Sequence, residues 1–251
     1  MIRGCVLILL GCALATAGQL NPATALPDES VQPVDNVVRT VPQTAPSEPA
    51  RQYWIVGEVD TIGGTTYDWF ANGPIYRFMC NSPEYGIHAL WMFSADRTTS
   101  FPDRNMRYNF YDYSTRSWNW IDPDYMASGV NVFAERSGYG NLDADPNTGI
   151  AWTVCHNGTP LRPVAARDLA PGAGIFEFCS SSPQAEAYQW PPIALNGDGK
   201  LQCALVDNAT QDNLWYTRCN PWCTWQIPTS ITGSGAEPMF PTHNIAASKQ
   251  S

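Results

Sequence analysis

Pro83-Glu84-Tyr85-Gly86-Ile87-His88-Ala89-Leu90-Trp91-Met92-Phe93 reads as a tight turn ending in glycine, followed by a seven-residue run of mostly apolar, strand-forming side chains. Such a short run bounded by turn residues predicts a β-strand. The stretch before it, Ile75 to Cys80, predicts the partner strand of a hairpin. Downstream, Met106-Arg107-Tyr108-Asn109-Phe110-Tyr111 begins a second hairpin that leads to Trp118 and Trp120.

The unit recurs. A strand, a turn carrying glycine and an apolar strand are found again at Gly140–Cys155 and Ile193–Val206. The turn glycines Gly86, Gly149 and Gly199 stand 63 and 50 residues apart. The second hairpin also recurs. Val164 to Asp168 and Gly174 to Cys179 form a degenerate version in the middle copy. In the last copy, Leu214-Trp215-Tyr216-Thr217-Arg218-Cys219 leads to Trp225. Four strands in about 40–60 residues match one propeller blade, and a lone blade cannot bury both its faces. The expected fold is therefore all-β, a β-propeller of four-stranded blades. Met239 to Ser248 resembles the first strand of a fourth copy. Residues 53–251 are accordingly expected to form about three blades and the start of a fourth, an incomplete ring belonging to a longer protein. An open ring of this kind could self-associate through its edge strand.

Upstream the texture differs. Residues 1–17 carry a basic start (Arg3), an apolar run from Cys5 to Leu14 and the small residues Ala15-Thr16-Ala17, the pattern of a signal peptide. An alternative reading takes Leu9-Leu10-Gly11-Cys12 as a lipoprotein box anchoring the chain through Cys12. Either reading exports the protein, to the extracellular space or the periplasm. Residues 18–52, studded with prolines and polar residues, lack a sustained apolar period and read as a disordered linker. No segment supplies the ~20 apolar residues of a membrane-spanning helix.

Composition narrows the function classes. The 251 residues carry a formal net charge of −9, with 44% hydrophobic and only 15% charged residues. An acidic chain without a Lys/Arg cluster disfavours nucleic acid as a partner. Scattered histidines and the absence of Cys-x-x-Cys pairs argue against zinc. No motif calls for a cofactor. Cys219-Asn220-Pro221-Trp222-Cys223 places two thiols across a short turn and makes Cys219–Cys223 the candidate disulfide. Cys80, Cys155, Cys179 and Cys203 lie in apolar strand runs, where free cysteine serves as a small buried hydrophobe.

Several segments resemble those of uncharacterised secreted bacterial β-propeller proteins, grouped loosely with sialidase-like, BNR-repeat propellers. They are Gly63-Gly64-Thr65-Thr66-Tyr67-Asp68-Trp69, Tyr85-Gly86-Ile87-His88, Arg107-Tyr108-Asn109-Phe110-Tyr111-Asp112 and Asn141-Leu142-Asp143-Ala144-Asp145-Pro146. The resemblance implies a ring of about six or seven blades. Asp145 to Trp152 keeps the Gly and Trp of the sialidase Asp-box but not its two polar anchors, so the turns read as ordinary glycine hairpins.

Candidate chemistry is sparse. Sialidase-type catalysis needs three arginines around a carboxylate, a Tyr–Glu pair and an acid. Arg77, Arg97, Arg104, Arg107, Arg116, Arg136, Asp68, Asp96 and Glu135 are available, but none stands in a matching context. No catalytic residue is assigned. Trp118, Trp120, Trp222 and Trp225 are candidates for stacking on a sugar, although their recurrence at one hairpin end favours packing between blades. Alternating Asp143, Asp145 and Asn147 could present oxygens to Ca²⁺. His88 and His156 read as core and turn residues. The function expected is a secreted, non-catalytic binding or scaffold module for a glycan or a cell-surface protein. The alternative is a sialidase-like glycan hydrolase.

Overall fold

The computed structural model describes residues 59–67, 77–158, 161–179, 188–209, 211, 213–231 and 243–250. All belong to Gly57–Ser251, one of two units into which the chain divides. The leader, Cys12, the 18–52 segment, Asp68 and residues 239–242 lie outside the described residues.

Each copy of the repeat folds into its own antiparallel sheet, with strands adjacent in chain order. The first comprises β1 (Met79–Ser82), β2 (Gly86–Phe93), β3 (Asn105–Asp112) and β4 (Ser117–Trp118), with β5 (Val130–Asn131) also pairing to β3. The second comprises β6 (Ser137–Ala144), β7 (Ala151–Asn157), β8 (Arg162–Asp168) and β9 (Phe176–Phe178). In the third, β10 (Tyr188–Gln189) and β11 (Ile193–Leu195) both pair with β12 (Leu201–Asp207), followed by β13 (Leu214–Cys219) and β14 (Thr229–Ser230). The gap between β10 and β11 holds Pro191 and Pro192, which lack the N–H that a continuous ladder requires. The described residues contain no helix, and so none long and apolar enough to cross a membrane.

The middle sheet is buried on both faces, and the period-two alternation of a strand divides its side chains between two cores. Ala151 and Cys155 of β7 and Ala166 of β8 join Met92, Met106, Tyr108 and Leu142 in one cluster. Trp152 and Val154 of β7 and Ala165 of β8 join Leu195, Leu201, Cys203 and Leu205 in the other. Each large side chain buried this way contributes about 1.5–3 kcal/mol. The near-continuous apolar runs of β2, β7 and β12 follow from this two-sided burial.

The three turn glycines sit in the β1–β2, β6–β7 and β11–β12 hairpins, as the repeat predicts. Successive turns lean on one another. A Cβ at Gly149, whose φ is +69°, would lie 2.2 Å from the Tyr85 ring of the preceding hairpin. The Asn147 side-chain amide in turn donates to the Gly197 carbonyl at 2.9 Å.

One expectation is corrected. Cys223 pairs with Cys179, not Cys219, at a sequence separation of 44. Cys219 lies at the end of β13, where its backbone pairs with Trp225 and its thiol is buried and free. The 219–223 turn thus carries Cys223 across to the residue after β9 and joins the second sheet to the third. The expected first strand of a fourth copy, Met239 to Ser248, lies partly outside the described residues, and its described part, within residues 243–250, forms no strand. Their polar groups are drawn onto sheets two and three: Lys249 Nζ donates to Asp143 of β6, the Gly197 amide donates to the Ser248 carbonyl, and His243 Nε2 lies 2.9 Å from the Trp190 carbonyl.

Candidate functional site

β1, β6 and β11, the strands that carry each sheet into its glycine hairpin, meet at one carboxylate. Asp143, near the end of β6, is 1% exposed. Its Oδ2 accepts from the Leu195 amide of β11 at 2.7 Å and lies 2.8 Å from both Arg77, just before β1, and Lys249. Its Oδ1 accepts from the Ala144 amide at 2.9 Å and from the Cys80 thiol of β1 at 3.4 Å. A carboxylate withdrawn from water is tolerable only when paired and hydrogen-bonded in this way.

Beside this junction is a cavity of about 340 Å³ between the first two hairpin turns. Its lining includes Cys80, Asn81, Glu84, Tyr85, Pro146 and Lys249. Burial, and then the charge of Asp143, push the Cys80 thiol up to about 11. At neutral pH it is therefore a thiol rather than the thiolate needed for nucleophilic attack. The arrangement offers an ammonium, a carboxylate, an amide and an aromatic ring for binding, with no base poised against a nucleophile.

The four tryptophans are not brought together. Trp118 donates to Asp60 at 3.2 Å and meets Tyr111 edge-on, their ring centroids 5.5 Å apart. Trp120 packs against the first core and would contact any side chain at Gly174 of the neighbouring sheet. Trp222 meets Trp152 of the middle sheet edge-to-face at 4.8 Å, and Arg167 lies 4.6 Å over its ring. Trp225 packs against the second core. Trp120 and Trp222 thus join adjacent sheets, which occupies the surfaces a sugar would stack on.

Asp143, Asp145 and Asn147 likewise have separate tasks. Asp143 is the buried junction, whereas Asp145 Oδ1 accepts from the Asn147 amide at 2.9 Å and shapes the turn. Among the described residues, no group of three His, Cys, Asp or Glu is placed to hold a metal. His88 lies in the first core, its Nδ1 2.7 Å from the Tyr108 hydroxyl, and burial lowers it to about 4. His156 is buried rather than solvated. Burial, then the charges of Arg104 and Arg136, lower it to about 3. Arg107 lies 3.7 Å over the Phe93 ring and donates to the carbonyls of Met126 and Ser128, a structural role.

Sequence reasoning missed Lys249 and the pairing of Arg77 with Asp143. The only available signal was an acidic residue inside an apolar strand run, which requires a cation nearby. It does not say which one.

No protein-family model and no curated protein matches the sequence. Among solved structures, the chain is similar to a protein of unknown function from Dyadobacter fermentans DSM 18053, with 10% identity and a TM-score of 0.42. The match covers 61% of this chain and spans half the length of the other.

Proposed function

We propose that the chain is a secreted, non-catalytic binding module of β-propeller type, with a glycan bound in the cavity between Cys80 and Lys249. The observation carrying this reading is the meeting of β1, β6 and β11 at Asp143, directly beside that cavity. In a propeller the first strand of each blade faces the axis, and three first strands sharing one carboxylate suit that placement. The cavity volume of about 340 Å³ suits a small ligand, for which sites of about 300–1,000 Å³ are usual. Export is supported by the leader pattern of residues 1–17 and by the Cys179–Cys223 disulfide, a bond favoured in oxidising compartments.

A glycan array probed with the full chain, run beside a fluorogenic sialoside, tests the reading. Binding without turnover, lost in Tyr85→Ala, supports it. Turnover of the sialoside would overturn it in favour of the sialidase-like hydrolase, and a silent array would remove the glycan.

A further inference from the structure

The end of the sheets opposite the glycine hairpins, where β3 and β6 begin and β7 finishes, gathers a different set of side chains. Arg104, just before β3, and Ser137, the first residue of β6, are tied twice. The Ser137 amide donates to the Arg104 carbonyl, and Arg104 Nε donates to the Ser137 carbonyl, both at 3.1 Å. The guanidinium is thereby held between two rings, 5.7 Å from the centroid of Tyr67 and 5.6 Å from that of Tyr139. Arg136, exposed, is anchored by its Nε and Nη2 to the carbonyls of Phe101 and Ser100, each at 3.2 Å.

Among the described residues, neither arginine has a carboxylate partner. Among the described residues the ion pairs are Arg77–Asp143, Arg167–Glu177, Lys200–Asp198 and Lys249–Asp143, all elsewhere. This occurs in a chain with 23 acidic and 14 basic residues, where an unclaimed pair of guanidiniums is not the default. Of the acids adjacent in sequence, Asp103 is turned away, its carboxylate taken by the Ser94 hydroxyl and the amides of Ala95 and Asp96, and Glu135, exposed beside Arg136, forms no ion pair with either arginine. The two arginines are close enough that Arg104, after burial, helps to lower Arg136, and both charges reach His156. Among the described residues, no carboxylate is ion-paired with either guanidinium.

The backbone is bent to build it. Tyr139 has a φ of +54°, the left-handed region that a non-glycine residue occupies only under constraint, and it sits where the β6–β7 register slips between Gly138 and Asn141. This bulge places the Tyr139 hydroxyl 3.3 Å from that of Tyr67. Two hydroxyls share one hydrogen bond, so one O–H remains to donate elsewhere.

We propose that Arg104, Arg136 and the Tyr139 hydroxyl, with Tyr67 holding that hydroxyl in place, bind the carboxylate of an acidic ligand. Guanidinium presents a planar donor fork that matches a carboxylate, and a phenol supplies the third donor. A monoanion fits better than a polyanion, which the net charge of −9 repels. The site does not depend on the cavity near Lys249 or on the sheets forming a propeller.

The test titrates the full chain by calorimetry with sodium glucuronate, glucose and inorganic phosphate. The expected result is a Kd for glucuronate at least tenfold below that for glucose. Arg136→Gln should weaken it at least tenfold, Tyr139→Phe several-fold, and Lys200→Ala, at an exposed ion pair with Asp198 outside both sites, not at all. Tyr139→Phe removes a single oxygen and decides the matter if Arg136→Gln does not fold. Equal affinity for glucose, tighter binding of phosphate, no binding of glucuronate, or unchanged affinity in Tyr139→Phe overturns the proposal. Loss on Lys249→Ala overturns it as well, by moving the carboxylate to the other cavity.

Discussion

The Lys249 ammonium lies 2.8 Å from the Asp143 carboxylate, joining residues 106 apart in sequence. The two ends of this ion pair are unequal. The Asp143 side chain is 2% exposed and the Lys249 side chain 43%. Removing the buried end strands the Leu195 and Ala144 amides, whereas removing the exposed end leaves Arg77 in place. Asp143→Ala should therefore cost about 2–4 kcal/mol. Lys249→Met should cost less than about 1 kcal/mol. Urea unfolding of both variants checks the asymmetry, and equal costs would contradict it.

Gly149 combines a left-handed φ of +69° with the Tyr85 ring at 2.2 Å from its missing Cβ. Gly149→Ala should destabilise by more than about 1 kcal/mol, since backbone strain and a clash act together. Adding Tyr85→Ala should recover the steric part and leave the φ penalty. A double-mutant cycle with no coupling would show that the two hairpins do not touch in solution.

The Cys179–Cys223 link closes a loop with a sequence separation of 44. On the chain-entropy account, Cys223→Ser should lower stability by about 4 kcal/mol. A non-reducing tryptic map of Cys219→Ser should still show the peptide carrying Cys179 joined to that carrying Cys223. Loss of the joined peptide in Cys219→Ser would place the bond at Cys219 instead.

His88 and His156 are held at about 4 and about 3, mainly by burial. Their folded values lie below the ordinary histidine value of about 6.5, so the unfolded chain binds protons first as pH falls. Stability should be full above about pH 6.5 and drop by on the order of a few kcal/mol towards pH 4. Asp168, raised by burial, opposes this loss at the acid end, because its folded form takes up a proton before its unfolded form. Urea midpoints at pH 7, 5.5 and 4.5 measure the slope. A flat profile would mean that the two histidines are hydrated in the folded protein.

Much of the strand layout could be read along the chain. Ile87–Phe93, Met106–Tyr111, Val164–Asp168 and Leu214–Cys219 coincide with β2, β3, β8 and β13, and the turn glycines mark all three hairpins. Strand propensity, apolar runs and glycine turns are local properties, so the order of residues declares them. The extra bridge of β5 onto β3 escaped notice because its two residues, Val130 and Asn131, are too short to carry a pattern.

The candidate sites were hardly legible. Tyr139 stood one residue before the predicted hairpin Gly140–Cys155, and nothing in the alternation marks the slipped register that turns its hydroxyl towards Tyr67. Arg104 and Arg136 were visible as charges but not as neighbours.

By itself, then, the sequence determined an all-β chain built from a repeated pair of hairpins with glycine at each first turn. The tertiary structure decided which cysteine faces Cys223, that Lys249 and Arg77 converge on Asp143, and that Arg104 and Arg136 come together with no ion-paired carboxylate among the described residues. Those outcomes depend on which faces of three sheets are pressed together. A contact between residues 106 apart leaves no trace in the local pattern of either one.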